Sequence, residues 1–302
     1  MRKFGKKLSV SCFLICTFFL PIYGQNKSER EQRNYSGAVK TVRTEIVEYS
    51  FEDGKLKVGK RELDSVEKFD RFGNLLEEIN YSDGEILISK KNVFSNGRLI
   101  ETFLKHSPYL YLPDKRIYKY DDAGNLIEVN GYNLAGKLVN QSTYVYDEQN
   151  RKIQWTSMSY HPEERSEPHR YTYSYDEQGH LKEEKAFWDK GDGFTPTDSL
   201  GRPHKRVLVY RNSDKWETEL YFNTSDTFVK ITTISYDDRG NEIEDIEYDQ
   251  NKNVKEKIRY QYKFDKFGNW VEEKTYRWIT EDGKSFHQLE EIEYRTIKYF
   301  GN

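Results

Sequence analysis

The stretch Tyr120-Asp121-Asp122-Ala123-Gly124-Asn125-Leu126 decides the fold, because it returns along the chain in register. Phe69-Asp70-Arg71-Phe72-Gly73-Asn74-Leu75 and Phe264-Asp265-Lys266-Phe267-Gly268-Asn269-Trp270 are clean copies. Tyr175-Asp176-Glu177-Gln178-Gly179-His180-Leu181 and Tyr236-Asp237-Asp238-Arg239-Gly240-Asn241 follow closely, and Phe94, Tyr146 and Tyr210 head degraded copies. Self-similarity at a fixed period marks a repeat architecture. Successive heads lie 25, 26, 26, 29, 35, 26 and 28 residues apart, too far for one hairpin. Each period therefore holds two strands and two turns. A weaker second turn follows about twelve residues later, as in Tyr81-Ser82-Asp83-Gly84, Tyr132-Asn133-Leu134-Ala135-Gly136 and Tyr248-Asp249-Gln250-Asn251.

Turn chemistry fits this unit. An aspartate after the aromatic (Asp70, Asp121, Asp176, Asp237, Asp265) can accept a hydrogen bond from the backbone two residues on. The glycine three residues later (Gly73, Gly124, Gly179, Gly240, Gly268) suits the left-handed position that closes a type I turn with a bulge. Asn150 takes that slot in the Tyr146 copy, as a residue that tolerates positive φ. We read these residues as structural turns with no ligand.

Between turns the pattern alternates with period two: Tyr171, Tyr173 and Tyr175, or Tyr260, Tyr262 and Phe264, with polar residues between them. Such alternation marks a half-buried strand with one aromatic face. The 24 tyrosines then read as a cross-strand ladder rather than a binding surface. Charged residues make up 33% of the chain and mean hydropathy is −0.96, yet aromatics at 15% rule out a disordered profile. The expected fold is all-β: an antiparallel meander of roughly sixteen strands in one long sheet, twisted or curled like a half-shell. At about 4.8 Å per strand that sheet would run on the order of 75 Å.

The N-terminus reads as an export signal. Arg2, Lys3, Lys6 and Lys7 precede an apolar run from Leu8 to Leu20, and Pro21 to Gly24 leads into polar sequence. The run is too short for a stable membrane span, so residues 1–24 are expected to be cleaved. Residues 25–35 read as a flexible leader and 36–302 as one repeat domain. Cys12 and Cys16, the two cysteines of the chain, leave with the signal, which excludes disulfide and thiol chemistry. Loss of the four bases leaves 44 basic against 51 acidic residues, a net charge of −7. That balance argues against nucleic acid and anionic membrane surfaces as partners.

The Tyr-Asp-x-x-Gly-Asn/Arg-Leu pattern over residues 61–275 resembles the YD repeat of bacterial RHS proteins, which also occurs in teneurins. In that family such repeats build long coiled β-sheets, often closed into hollow shells around a toxin. This sequence has no Asp-Pro dipeptide, so it lacks the family's Asp-Pro-x-Gly core signature. The resemblance thus implies a small secreted YD-repeat protein, half-shell or twisted sheet, rather than a toxin capsule.

A meander places all Tyr-Asp turns on one edge and all second turns on the other. The second set varies in length: Lys105–Lys115 holds His106, Tyr109 and Tyr111, Ser159–Arg170 holds His161 and His169, and Phe187–Lys205 holds Trp188, with Trp278 beside a later turn. Insertions gathered on one side of a repeat protein often form its binding face. We expect a non-catalytic scaffold that recognises a glycan or a surface protein through Tyr109, Tyr111, His161, His169, Trp188 and Trp278. Terminal strands of an open sheet would also allow edge-to-edge self-association. No cofactor or metal site is expected, since His161 and His169 lack metal-ligand spacing and Asp189-Lys190-Gly191-Asp192-Gly193 lacks the alternating ligands of a calcium loop. The alternatives are a polysaccharide hydrolase or lyase using Glu163, Glu164, Glu167, Asp189 and Asp192, or a toxin-associated partner.

Overall fold

The computed structural model describes residues 28–52, 55–107, 110, 112–160, 169–189, 194–195, 205–210, 216–223, 227–281 and 283–301. Among these residues a short helix, α1 (Glu29–Gln32), precedes twenty strands. They are β1 (Val39–Glu52), β2 (Lys55–Val58), β3 (Glu62–Phe69), β4 (Leu75–Ser82), β5 (Glu85–Ser95), β6 (Arg98–His106) and β7 (Lys115–Tyr120). Then come β8 (Leu126–Tyr132), β9 (Leu138–Tyr146), β10 (Lys152–Ser159), β11 (His169–Tyr175), β12 (Leu181–Asp189), β13 (Phe194–Thr195) and β14 (Lys205–Tyr210). The last are β15 (Trp216–Phe222), β16 (Phe228–Tyr236), β17 (Glu242–Asp249), β18 (Val254–Phe264), β19 (Trp270–Glu281) and β20 (Lys284–Tyr299). Every pairing is antiparallel, and the order follows the chain.

The sheet is not open. Eighteen strands close into a barrel, because β1 pairs with β20 from Val39↔Tyr299 to Glu48↔Glu291. This corrects the expectation of a long open sheet or half-shell. Sixteen strands do flank the eight motif turns; the two beyond that number, β1 and β20, carry no motif and zip the ring shut. Closure also removes the free terminal edges on which edge-to-edge self-association depended.

The motif turns explain the curvature. At seven of the eight the aromatic head pairs with the residue that opens the return strand, at Phe94 with the second residue, and in every case the next residue is skipped: Phe69↔Leu75 then Lys68↔Glu77, Tyr120↔Leu126 then Lys119↔Glu128. The same shift follows Phe94, Tyr146, Tyr175, Tyr210, Tyr236 and Phe264. A β-bulge bends its strand and strengthens the right-handed twist. Eight bulges in equivalent places bend the sheet the same way, and it meets itself. Barrels of this strand number enclose an aqueous interior rather than a core filled by side chains.

In the clean motif turns the Asp clamps the Asn four residues on, and Asp147 and Asp176 hold Arg151 and His180 in the same way. Asp70 Oδ1 accepts from Asn74 N at 2.9 Å and Oδ2 from Asn74 Nδ2 at 2.8 Å, and Asp121 and Asn125 repeat both bonds at 2.7 and 3.0 Å. The Asn125 side chain and backbone N–H groups hold the Asp121 carboxyl below its ordinary range. Gly73 and Gly124 both sit at φ 91°, and Asn150 at φ 59°. The head tyrosines link repeats: the Tyr120 hydroxyl donates to Leu99 O, Tyr146 to Leu126 O and Tyr175 to Lys152 O, at 2.8, 2.9 and 2.6 Å. Trp155 stacks on its cross-strand neighbour Tyr171 at 4.9 Å.

The expected leader, residues 25–35, is described from Ser28 on. There it is packed onto the motif rim: α1 carries a capping box between Ser28 and Glu31, and Tyr35 is buried with Val39, Val42, Phe69 and Leu75.

Candidate binding rim and luminal wall

The second turns lie on the rim opposite the Tyr-Asp turns. On that rim, a groove of about 400 Å³ is lined by Phe103, Asp114, Lys115, Ile117, Tyr132, Asn133, Leu134 and Gly136. Three consecutive strands, β6, β7 and β8, build it. Asp114 is the tie: its N–H donates to Tyr132 O at 2.8 Å, its carbonyl accepts from Leu104 N at 2.7 Å, and its carboxylate accepts from Leu134 N at 2.8 Å. Pro113 beneath is fully buried, and Gly131 is required beside it, since a Cβ there would lie 2.9 Å from Pro113 and 2.0 Å from the Asn140 side chain. Lys115 pairs with Glu101 at 2.8 Å and stands 5.3 Å above the Phe103 ring. Leu134, at the tip of the Asn133–Gly136 turn, is 91% exposed, and Phe103 46%. Leu134 and Phe103 thus give the groove an exposed apolar lining.

Of the residues expected to bind, the side chains of His169 and Trp278 are described. Tyr109, Tyr111 and His161 lie outside the described residues, as do Glu163, Glu164, Glu167 and Asp192 and the side chains of Trp188 and Asp189. His169 is half-buried on β11, its backbone paired with that of Trp188 on β12. Trp278 sits on β19, six or more strands further round the ring, edge-on to His287 at 4.6 Å. Burial, followed by the nearby Arg259 and Lys257, pushes the His287 pKa down. His106 lies near the groove, its Nδ1 3.0 Å from Ser107 O and its Nε2 3.8 Å from Asp114. Sequence reasoning missed Phe103 and Leu134; the signal it had was a leucine at the tip of a polar turn, Asn133-Leu134-Ala135-Gly136. Among the described residues no three His, Cys, Asp or Glu side chains are placed to hold a metal ion.

The two faces of the wall differ. Outward positions carry cross-strand ion pairs: Lys119–Glu128 at 2.6 Å, Lys263–Glu272 at 2.9 Å, Lys257 and Arg259 on Glu244 at 2.9 and 3.2 Å, and Lys68 with Glu77. Inward positions carry tyrosines and charges in uneven balance. On one side Arg206 bonds Glu219 at 2.8 Å and Glu184 at 3.3 Å. On the other, β1, β3, β19 and β20 bring together Glu48, Asp64, Glu273, Glu291 and Glu293, with Arg295 among them. Burial and then the adjacent Glu293 push the carboxyls of Glu273 and Glu291 up to about 7. Burial raises Glu293 and Asp64 as well.

No family model and no curated protein matches the chain. Solved structures similar to it include a porin-like protein from Bacteroides uniformis, 12% identical with a TM-score of 0.46 over 87% of this chain and 99% of that one. A porin-like protein from Bacteroides vulgatus is 8% identical, with a TM-score of 0.35 over 88% and 100%. The TcdB2-TccC3 structure without its hypervariable C-terminal region is 14% identical, with a TM-score of 0.30 over 80% of this chain and 16% of that one. Likeness of this degree passes no activity or location to this chain. Among the described residues no helix is long and apolar enough to cross a membrane.

Proposed function

We propose that this chain is an exported, non-catalytic YD-repeat-like barrel that stands in water and engages a surface protein or glycan through its variable rim. The observation that carries the reading is the groove of about 400 Å³ at that rim, where Phe103 and Leu134 are held open to solvent by a hydrogen-bonded scaffold centred on Asp114. The outer face supports the aqueous setting. A barrel in lipid turns an apolar band outward, and a lysine or arginine at the bilayer midplane costs about 2–4 kcal/mol. Here lysine–glutamate and arginine–glutamate pairs run along the outward face of β3, β4, β7, β8 and β17 to β19. The test is capture by crosslinking: tagged residues 25–302 added to the producer's envelope fraction, beside the double variant Phe103→Ala, Leu134→Ser. Loss of the captured partner in a folded variant supports the reading. Undiminished capture, or turnover of a polysaccharide by the protein alone, overturns it.

A further inference from the structure

Of the eighteen junctions in the ring, all but one join strands that follow one another along the chain, with the side strands β2 and β13 intervening at β1–β3 and β12–β14. The exception is β1–β20, which closes a loop of the whole domain and is held by noncovalent contacts alone. If the barrel opens anywhere, the chain entropy of closure favours opening there. The two ends of this seam are built differently.

At the motif-rim end a strap crosses it. Arg30 N donates to Gly73 O at 3.0 Å, Leu75 N donates to the Glu29 carboxylate, and the Tyr35 hydroxyl donates to Glu67 at 2.7 Å, all on the β3–β4 side. Arg33 pairs there with Glu67 and Glu78. On the other side Ser36 N donates to Asn269 Oδ1 at 2.7 Å, and Asn269 Nδ2 donates back to Ser36 O and to the Tyr299 hydroxyl, both at 2.8 Å. Tyr299 also reaches Asp265. Ile297 and Tyr299 of β20 pack on the cluster that buries Tyr35.

At the variable-rim end like charges face each other. Glu48 of β1 stands directly opposite Glu291 of β20, and Glu293 opposite Glu273 of β19. Like charges in such cross-strand positions, with Cβ atoms about 5 Å apart, destabilise the pairing. The surrounding charges do not cancel them. Asp64 of β3 and Glu290 of β20 add negative charge; Arg277 of β19 is engaged by Glu290 at 2.6 Å and by Glu256 of β18. Arg295 of β20, over Trp270 and toward Tyr35, offsets the charge of Glu273, Glu293 and Asp64 in part without reversing the rise that burial gives them, and β18 contributes Tyr260 and Tyr262. Beyond this point β1 leaves β20 and continues with β2 as a free hairpin that exposes Phe51, Leu56 and Val58.

We propose that the β1–β20 junction is a pH-dependent seam, strapped at the motif rim by residues 28–36 and opening from its variable-rim end when Glu291, opposite Glu48 across it, and Glu293 and Glu273 beside it on β20 and β19 ionise. The sign follows from the direction of the shifts. Glu273 and Glu291, ordinarily near 4.5, are pushed up to about 7, so the folded wall holds their protons longer than the unfolded chain does. Their contribution is fully present below about 4.5 and is lost as pH rises through about 7.

Hydrogen–deuterium exchange on residues 25–302, corrected for the intrinsic pH dependence of exchange, tests this. Between pH 6 and 8.5 protection of residues 41–48 and 291–298 should fall about tenfold relative to β7–β9 in the same sample, the factor carried by one unit of pKa shift. Glu291→Gln with Glu293→Gln should abolish the relative fall, and Glu48→Gln alone should reduce it if the double variant does not fold. A parallel loss across seam and β7–β9, or a relative fall that survives the substitutions, overturns the proposal.

Discussion

The two rims of this barrel are built from hairpin turns of one meander, yet they are different kinds of surface. Most of the motif rim repeats one solution: an aspartate clamps the residue four on, an asparagine in the clean copies and Arg151 or His180 in two others, a residue at positive φ closes the turn, and a bulge follows. Asp70, Asp121, Asp237 and Asp265 all accept from the backbone N–H of their partner asparagine, at 2.7 to 3.0 Å. At Asp70 and Asp237 the side-chain bonds of the clamp stay within the turn, whereas Asn125 also reaches Asn150 and Asn269 reaches Ser36 and Tyr299. Part of the variable rim reuses this solution: Asp249 accepts from Asn253 N and Nδ2 at 2.9 and 3.1 Å, and Asn133 and Asn223 accept from the backbone N–H four residues on, each turn followed by a register shift. The connections of this rim differ in length, and between β6 and β8 the hydrogen bonds of Asp114 hold apolar side chains outward instead. The rim whose connections keep nearly one length carries the eight motif bulges; the rim whose connections vary in length is the one proposed to recognise a partner.

The comparison can be broken at its strongest point first. Phe69 heads a motif turn and is 3% exposed in the cluster beneath the strap. Phe69→Ala should lower unfolding free energy by about 3–5 kcal/mol, read by denaturant titration. Next, two motif glycines that look alike in sequence should differ. Gly268 at φ 87° has open space around an added Cβ, so Gly268→Ala should cost about 1–2 kcal/mol for its left-handed backbone alone. At Gly73 the added Cβ would lie 2.6 Å from Ser28 Oγ, so Gly73→Ala should cost more and release protection at Arg30 and Tyr35. The smallest effect belongs to the outer wall. Lys119→Ala removes an exposed partner of Glu128 and should leave the melting temperature unchanged within error.

Much of the motif rim was legible, because its rules are local. The Asp, Gly and Asn offsets fall within five residues, and period two between turns gave the strands. Closure was not legible, because it rests on β1 and β20, the two strands without a motif, and on bulges that a pattern of aromatics does not display. The strap was hidden for a related reason: Ser36 meets Asn269 across more than two hundred residues of chain, and its own sequence is polar. The groove combines Phe103 with Leu134 through three-strand pairing, while the search for binding residues followed the longest insertions. Those insertions named aromatic residues one by one; the barrel sets His169 and Trp278 on separate sectors of the wall.

The division of labour between rims is tested most directly by one crossed measurement, melting temperature and partner capture on Asp70→Ala and on Phe103→Ala, Leu134→Ser. The motif-rim variant loses charge-assisted hydrogen bonds, about 1.5–3 kcal/mol, and should melt earlier while capturing normally below its transition. The variable-rim variant should melt with the wild type and capture nothing. Capture that follows stability in both variants would contradict the account.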